Sequence, residues 1–185
     1  KEHPLDKAEL TLMDRWILSR LNSLVREVDD DLNEYKIFEA SRAMTDFVDD
    51  LSNWYVRRSR ERFWGKGMAG DKEAAFATLY HVLETMSRLT APFTPFMAEN
   101  MYRNLVCSVD KDAPISVHMT DFPVCDETYI SSELEGHMRD LLEVVVLGRS
   151  CRSESGLKVR QPLSRMIVSG ATLPQDFCAL AEDEL

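Results

Sequence analysis

From Thr11 to Leu32 the apolar residues Met13, Ile17, Leu21, Leu24, Val25, Val28 and Leu32 recur at intervals of three and four. No other feature restricts the fold so strongly, because this spacing draws one apolar stripe along an α-helix but scatters over both faces of a strand. Thr11 followed by Asp14 adds a capping-box pattern at the start. A long amphipathic helix has to be covered by other apolar faces, and the chain offers three. After a polar turn at 33–36, the residues Ile37, Ala40, Met44, Phe47, Val48, Leu51 and Tyr55 form a second stripe. Phe76, Leu79, Val82, Leu83, Met86 and Leu89 form a third, with Asp71 as its N-cap and Pro92 beyond its end. Thr94 and Pro95 open a fourth helix that carries Met97, Met101 and Leu105 inward. Four such helices with short connections predict a mainly α fold, an antiparallel helical bundle.

The C-terminal part reads differently. Residues 107–130, with Pro114 and Pro123, are expected to be a loop draped over the bundle. Ser132 with Glu135 suggests a second capping box, opening a helix through Leu134, Met138, Leu141, Leu142 and Val145 to about Ser153. LSRMIVSG, 163–170, is short, follows Pro162 and predicts a strand. A strand alone leaves its backbone groups without partners, so the chain is expected to stop inside a small α+β element. The domains are therefore drawn as 1–125, the bundle, and 126–185, a junction helix with the first strand of a truncated element.

Charge is unevenly spread. The chain carries 22 basic and 32 acidic residues, net −10, which as an average argues against a polyanionic partner. Yet the stretch from Asn53 to Lys66 holds five basic residues and one acid, leaving 17 and 31 for the rest. On a helical wheel Arg58 and Arg62 continue the inward side of Leu51 and Tyr55, where they either snorkel at the end of the bundle or pair with acids of the first helix. Asn53, Arg57, Arg60 and Trp64 fall on the opposite face. An amide, two guanidinium groups and an indole supply edge hydrogen bonds, phosphate forks and a stacking platform, the three tools of single-stranded RNA recognition. The same face could instead be a solvated charged surface with Trp64 folded into the core, or a protein-interaction module docking an acidic partner.

Other chemistry finds little support. Cys107, Cys125, Cys151 and Cys178 are far apart and form no CxxC, so no zinc site follows from their spacing and free thiols in a reducing compartment are expected. Asp29, Asp30 and Asp31 fan around a helix axis, and GKGMAG, 65–70, breaks the helical pattern but lacks a phosphate-loop signature. No stretch approaches the roughly 20 apolar residues of a membrane span. The charged start is no signal peptide, and a cytoplasmic protein, or a piece of one, is expected.

Five blocks, DRWILSRLNSLV (14–25), DLSNWYVRRSRERFW (50–64), LTAPFTPFMAENMYRNL (89–105), SVHMTDFP (116–123) and KVRQPLSRMIV (158–168), together resemble the isoleucyl-tRNA synthetases. Looser forms occur in the valyl and leucyl relatives. The resemblance covers nearly the whole chain and implies a fragment of a large class I synthetase: the helical anticodon-binding domain and the junction that follows it. It implies that ATP and Mg act in the catalytic domain of the parent and that the fragment, which lacks the HIGH and KMSKS signatures, holds no catalytic residues and no cofactor. The implied partners are the anticodon loop of tRNA-Ile and the remaining domains of the same synthetase. The implied RNA-binding set is Asn53, Trp54, Arg57, Arg60 and Trp64, with Arg58, Arg62 and Lys66 as supporting phosphate charges.

Overall fold

A computed structural model describes all residues except 1–4, 6–7, 68–69, 159–160, 171–172 and 185. The chain divides into two compact units, 1–130 and 131–185. The first is a helical bundle built around α1 (Leu12–Asn33), which packs against α2 (Ile37–Asp49) and α4 (Gly70–Leu89). The expected capping box opens α1: the Asp14 amide donates to Thr11 Oγ1 at 3.3 Å, and the Thr11 amide donates to Asp14 Oδ2 at 2.9 Å. Ile17, Leu21, Leu24, Val25 and Val28 are buried, and so are Trp16 and Leu18 beside them. Each such side chain withdrawn from water contributes about 1.5–3 kcal/mol, and so broad a buried face makes α1 the centre of the unit.

The turn from α1 to α2 is a Schellman motif. Lys36 N donates to Asp31 O at 2.8 Å and Tyr35 N to Leu32 O at 3.1 Å, and Tyr35 takes the left-handed position with φ 60°. Glycine normally fills that position, because a side chain there costs about 1 kcal/mol or more. In α2, Ala40, Met44 and Phe47 are buried, whereas Ile37 and Val48, expected on the same stripe, are exposed.

Two further inner stripes differ from expectation. In α4 the fully covered positions include Ala74, Ala75, Thr78, Val82, Thr85, Met86 and Leu89, while Phe76 is exposed and Leu79 and Leu83 are half-buried. Small residues face inward where a side chain of the bundle abuts the helix backbone: the Tyr55 hydroxyl lies 3.3 Å from the Ala75 carbonyl. Asp71 lies inside the first turn of α4 rather than at its cap. In α5 (Pro95–Tyr102), which begins at the expected proline, Ala98 and Tyr102 are buried, while Met97 is exposed and Met101 half-buried. Ala98, Tyr102 and Val106 join Ala91 and Val117 in a separate apolar cluster.

The segment after α5 is pinned at two points. Glu99 Oε2 accepts from Ser116 Oγ at 2.8 Å and from Val117 N at 3.0 Å, and the amide of Asp126 donates to Asn22 Oδ1 at 2.9 Å. Short 3-10 turns at Val117–Met119 and Glu127–Tyr129 shape the path between.

In the second unit the N-cap of α6 (Ser132–Glu154) is Ser131, whose Oγ accepts from Leu134 N at 3.3 Å, one residue before the expected cap. Met138, Leu141, Val144 and Val145 of α6 are buried, and α7 (Gln175–Glu184) packs on the same helix with Phe177 buried and its ring 5.3 Å from that of His137. The expected strand is absent among the described residues: 163–168 form no ladder, and their side chains are exposed. Ahead of them Arg152 Nη1 donates to the carbonyls of Gln161 at 2.8 Å and Lys158 at 3.2 Å. A short apolar run makes a strand only where another strand accepts its hydrogen bonds. Among the described residues no helix is long and apolar enough to cross a membrane.

Candidate nucleic-acid interface

The second stripe does run on into the arginines, but not as one regular helix. After α2 the chain widens into a π-helical stretch, Asp50–Val56, turns at the buried Ser59, and re-forms as α3, Arg60–Trp64, which ends at Gly65. π-helical turns redirect the residues that follow them relative to a regular wheel. Leu51 and Tyr55 remain buried, and Trp54 is half-buried.

On the inner side Arg62 is completely engaged. Its Nη2 and Nη1 donate to the two carboxylate oxygens of Asp14 at 2.7 and 3.0 Å, and its Nε donates to Asp71 Oδ1 at 2.8 Å. Asp14 also accepts from Tyr55 Oη at 2.7 Å and from Thr11 Oγ1 at 2.7 Å. The Asp14 side chain has no exposed surface. Burial disfavours its charge, but the hydrogen bonds from Arg62, Tyr55 and Thr11 outweigh burial and hold its carboxyl below the ordinary 3.8. Burial and then the Asp14 carboxylate push the Tyr55 phenol upward, so it stays a donor. The fork matches a planar guanidinium to a planar carboxylate, the strongest geometry available to such a pair.

This network explains how α3 is held at all. The helix is five residues long and buries none of them fully. Its ties are Arg62 and an edge-to-face contact of Phe63 with Phe76, ring centroids 5.2 Å apart. Lys72 Nζ donates to the Gly65 carbonyl at 2.8 Å and ties the first turn of α4 to the end of α3. The expectation that Arg62 supplies a supporting phosphate charge is thus corrected: all three of its guanidinium nitrogens are committed to α1 and α4.

The outer side is arranged otherwise. Asn53, Arg57, Arg60, Trp64 and Lys66 are exposed, and Arg58 is half-buried. Arg57 donates from Nε to the Asn53 carbonyl at 2.8 Å and sits 5.6 Å from the Trp54 ring centroid. Arg60 lies 5.4 Å from the centroid of Trp64, an indole that remains 77% exposed. Asn53 Nδ2 reaches Asp49 Oδ1 at 3.5 Å. The structure therefore gathers Trp54 with Arg57 and Asn53, and Arg60 with Trp64, while Lys66 stands on the bend beyond α3. Each cation–π pair is worth about 0.5–1 kcal/mol at an exposed site and holds a guanidinium flat without removing it from water. Such pairs can present guanidinium edges to phosphates and aromatic faces to unstacked bases. Sequence reasoning missed Asp71 and Tyr55 as members of the inner network. The Asp14 capping box was visible, but nothing in the spacing tied that carboxylate to a residue 48 positions away.

Residues 14–167 match the model of the anticodon-binding domain of tRNA ligase, so the matched region contains both the inner network and the arginine face. The chain belongs to that family. Among its relatives, isoleucine–tRNA ligase of Clostridium novyi is 49% identical over 94% of this chain, that of Clostridium tetani 47% over all of it, and that of Dehalococcoides mccartyi 49% over 97%. The chain spans only 17–18% of the length of these relatives. The resemblance to isoleucyl-tRNA synthetases drawn from its motifs agrees with these matches, and the helical bundle is the architecture in which this anticodon-binding domain presents its surface.

Proposed function

We propose that this domain grips the anticodon loop of tRNA-Ile through Asn53, Trp54, Arg57, Arg60, Trp64 and Lys66, with Arg58 in support. In this reading it serves an isoleucine–tRNA ligase that charges tRNA-Ile with the help of ATP and Mg, a reaction belonging to the longer protein. The exposed Arg60–Trp64 pair on a helix locked from behind by Arg62 is the observation that carries the proposal. Membership of the anticodon-binding family supports tRNA as the ligand class. Guanidinium groups neutralise backbone phosphates, which fixes register, and the indoles accept splayed bases, which rewards an unpaired loop over a duplex.

The test is an anisotropy titration of a labelled isoleucine anticodon stem-loop, and of the same stem-loop with a changed anticodon, at two salt concentrations. Tighter binding to the isoleucine loop with a steep salt dependence is expected. Affinity that is indifferent to salt and unchanged in the R57A/R60A double variant would overturn the assignment and favour the protein-docking alternative.

A further inference from the structure

The opposite tip of the first helical hairpin carries a second exposed surface with the reverse character. At the Schellman turn Tyr35 occupies the left-handed conformation, yet its ring is 88% exposed and so gains little by packing. Everything local to folding favours glycine there. Ile37 and Phe38, at the start of α2, are 59% and 73% exposed. Three large apolar side chains within four residues, one of them in a strained backbone, form a patch that the bundle does not use, and strain of this kind collects where a surface has another task.

The surroundings of the patch decide what it accepts. Between residues 26 and 42 there are six acids, Glu27, Asp29, Asp30, Asp31, Glu34 and Glu39, against three bases, Arg26, Lys36 and Arg42. Lys36 is itself ion-paired with Glu34. A rim of that sign repels phosphates and attracts cations, so the patch is unsuited to RNA and complementary to a segment with an apolar stripe flanked by lysines or arginines. We propose that Tyr35, Ile37 and Phe38 form a docking surface for a basic amphipathic helix of a protein partner. The aromatic rings supply the anchors, and the acids orient the incoming helix and speed its encounter.

The experiment titrates the 185-residue chain with an 18-residue helical peptide of leucines and lysines, with the same pattern built of leucines and glutamates, and with an RNA hairpin. Binding is followed by NMR shifts of the tip residues. The lysine peptide is expected to bind at the tip and the glutamate peptide and hairpin to leave it unshifted. The Y35G/F38S double variant should lose at least tenfold in affinity for the lysine peptide, while R57A/R60A retains it. Y35G alone should melt about 2 °C higher, because glycine relieves the backbone strain. Equal binding of the lysine peptide by the chain and by Y35G/F38S overturns the proposal, as does glutamate-peptide binding of the same strength, or tip shifts produced by the RNA hairpin.

Discussion

Arg60 and Arg62 stand two residues apart on one short helix and have opposite fates. Arg62 turns inward to a fully buried carboxylate and gives every guanidinium nitrogen to the bundle; Arg60 lies along an exposed indole. A charge that is buried and forked becomes part of the scaffold, because removing its partner strands an ion in a poorly solvated site. A charge kept in water contributes little to folding and stays available to a ligand. The difference shows that basic composition alone does not measure a binding face: the charges that count are those left outside after the scaffold has taken its own.

The sharpest way to break this comparison is Arg62→Ala. It leaves the Asp14 carboxylate buried without its main partner and should destabilise the first unit by about 3–5 kcal/mol in urea unfolding. If Arg60→Ala costs as much, the distinction between the two residues fails. Next in size, Trp64→Ala should weaken stem-loop binding by about 1–3 kcal/mol in anisotropy titrations, with stability changed by no more than about 0.5 kcal/mol. Replacing Arg57 and Arg60 together should lower the slope of log affinity against log salt by about 1.4, since each phosphate contact to a single strand contributes roughly 0.7. Thr11→Ala, which removes both an N-cap and a hydrogen bond to Asp14, should cost about 1 kcal/mol in thermal unfolding and leave RNA binding unaltered. The pH dependence sharpens the inner half. The folded carboxyl of Asp14 is depressed, so its contribution is fully present above the ordinary carboxylate range and is lost as pH falls through the folded value. Stability should therefore decline below pH about 4, and the Asp14→Asn variant, weaker throughout, should decline less steeply.

Much of the bundle was legible because its signals are local. The three-four spacing of α1, the Thr11–Asp14 box, Pro95 at the head of α5 and the break after Trp64 each depend on a few neighbouring residues. The inward side of Arg62 was also readable, since it follows Tyr55 by nearly two turns. What was hidden depends on distant partners. The inner stripe of α4 mixes alanines and threonines with Val82, Met86 and Leu89, because the Tyr55 hydroxyl reaches the backbone of its first turns, and no hydrophobic pattern announces such closeness. The π-helical stretch has no composition of its own. Residues 163–168 are a short apolar run after Pro162 but form no ladder among the described residues, and α7, with Phe177 and Ala181 buried, was passed over because its apolar residues run together at 177–181 without a three-four spacing. The exposures of Asn53, Arg57, Arg60 and Trp64 follow from the wheel even though the helix beneath them changes pitch.

Asn22 has a bearing on the order in which the molecule forms. Its buried amide donates to Leu18 O within its own helix and accepts from Asp126 N across 104 residues of chain. Helices α1 and α2 adjoin one another in sequence and can pair early, at small loop-closure cost. The bond to Asp126 waits until almost the whole first unit has been threaded, so it closes the unit late. During synthesis, a nascent chain that has emerged only as far as α5 would hold its helices together while one amide oxygen in the middle of α1 still relied on water. The latch would engage only when residue 126 cleared the ribosome.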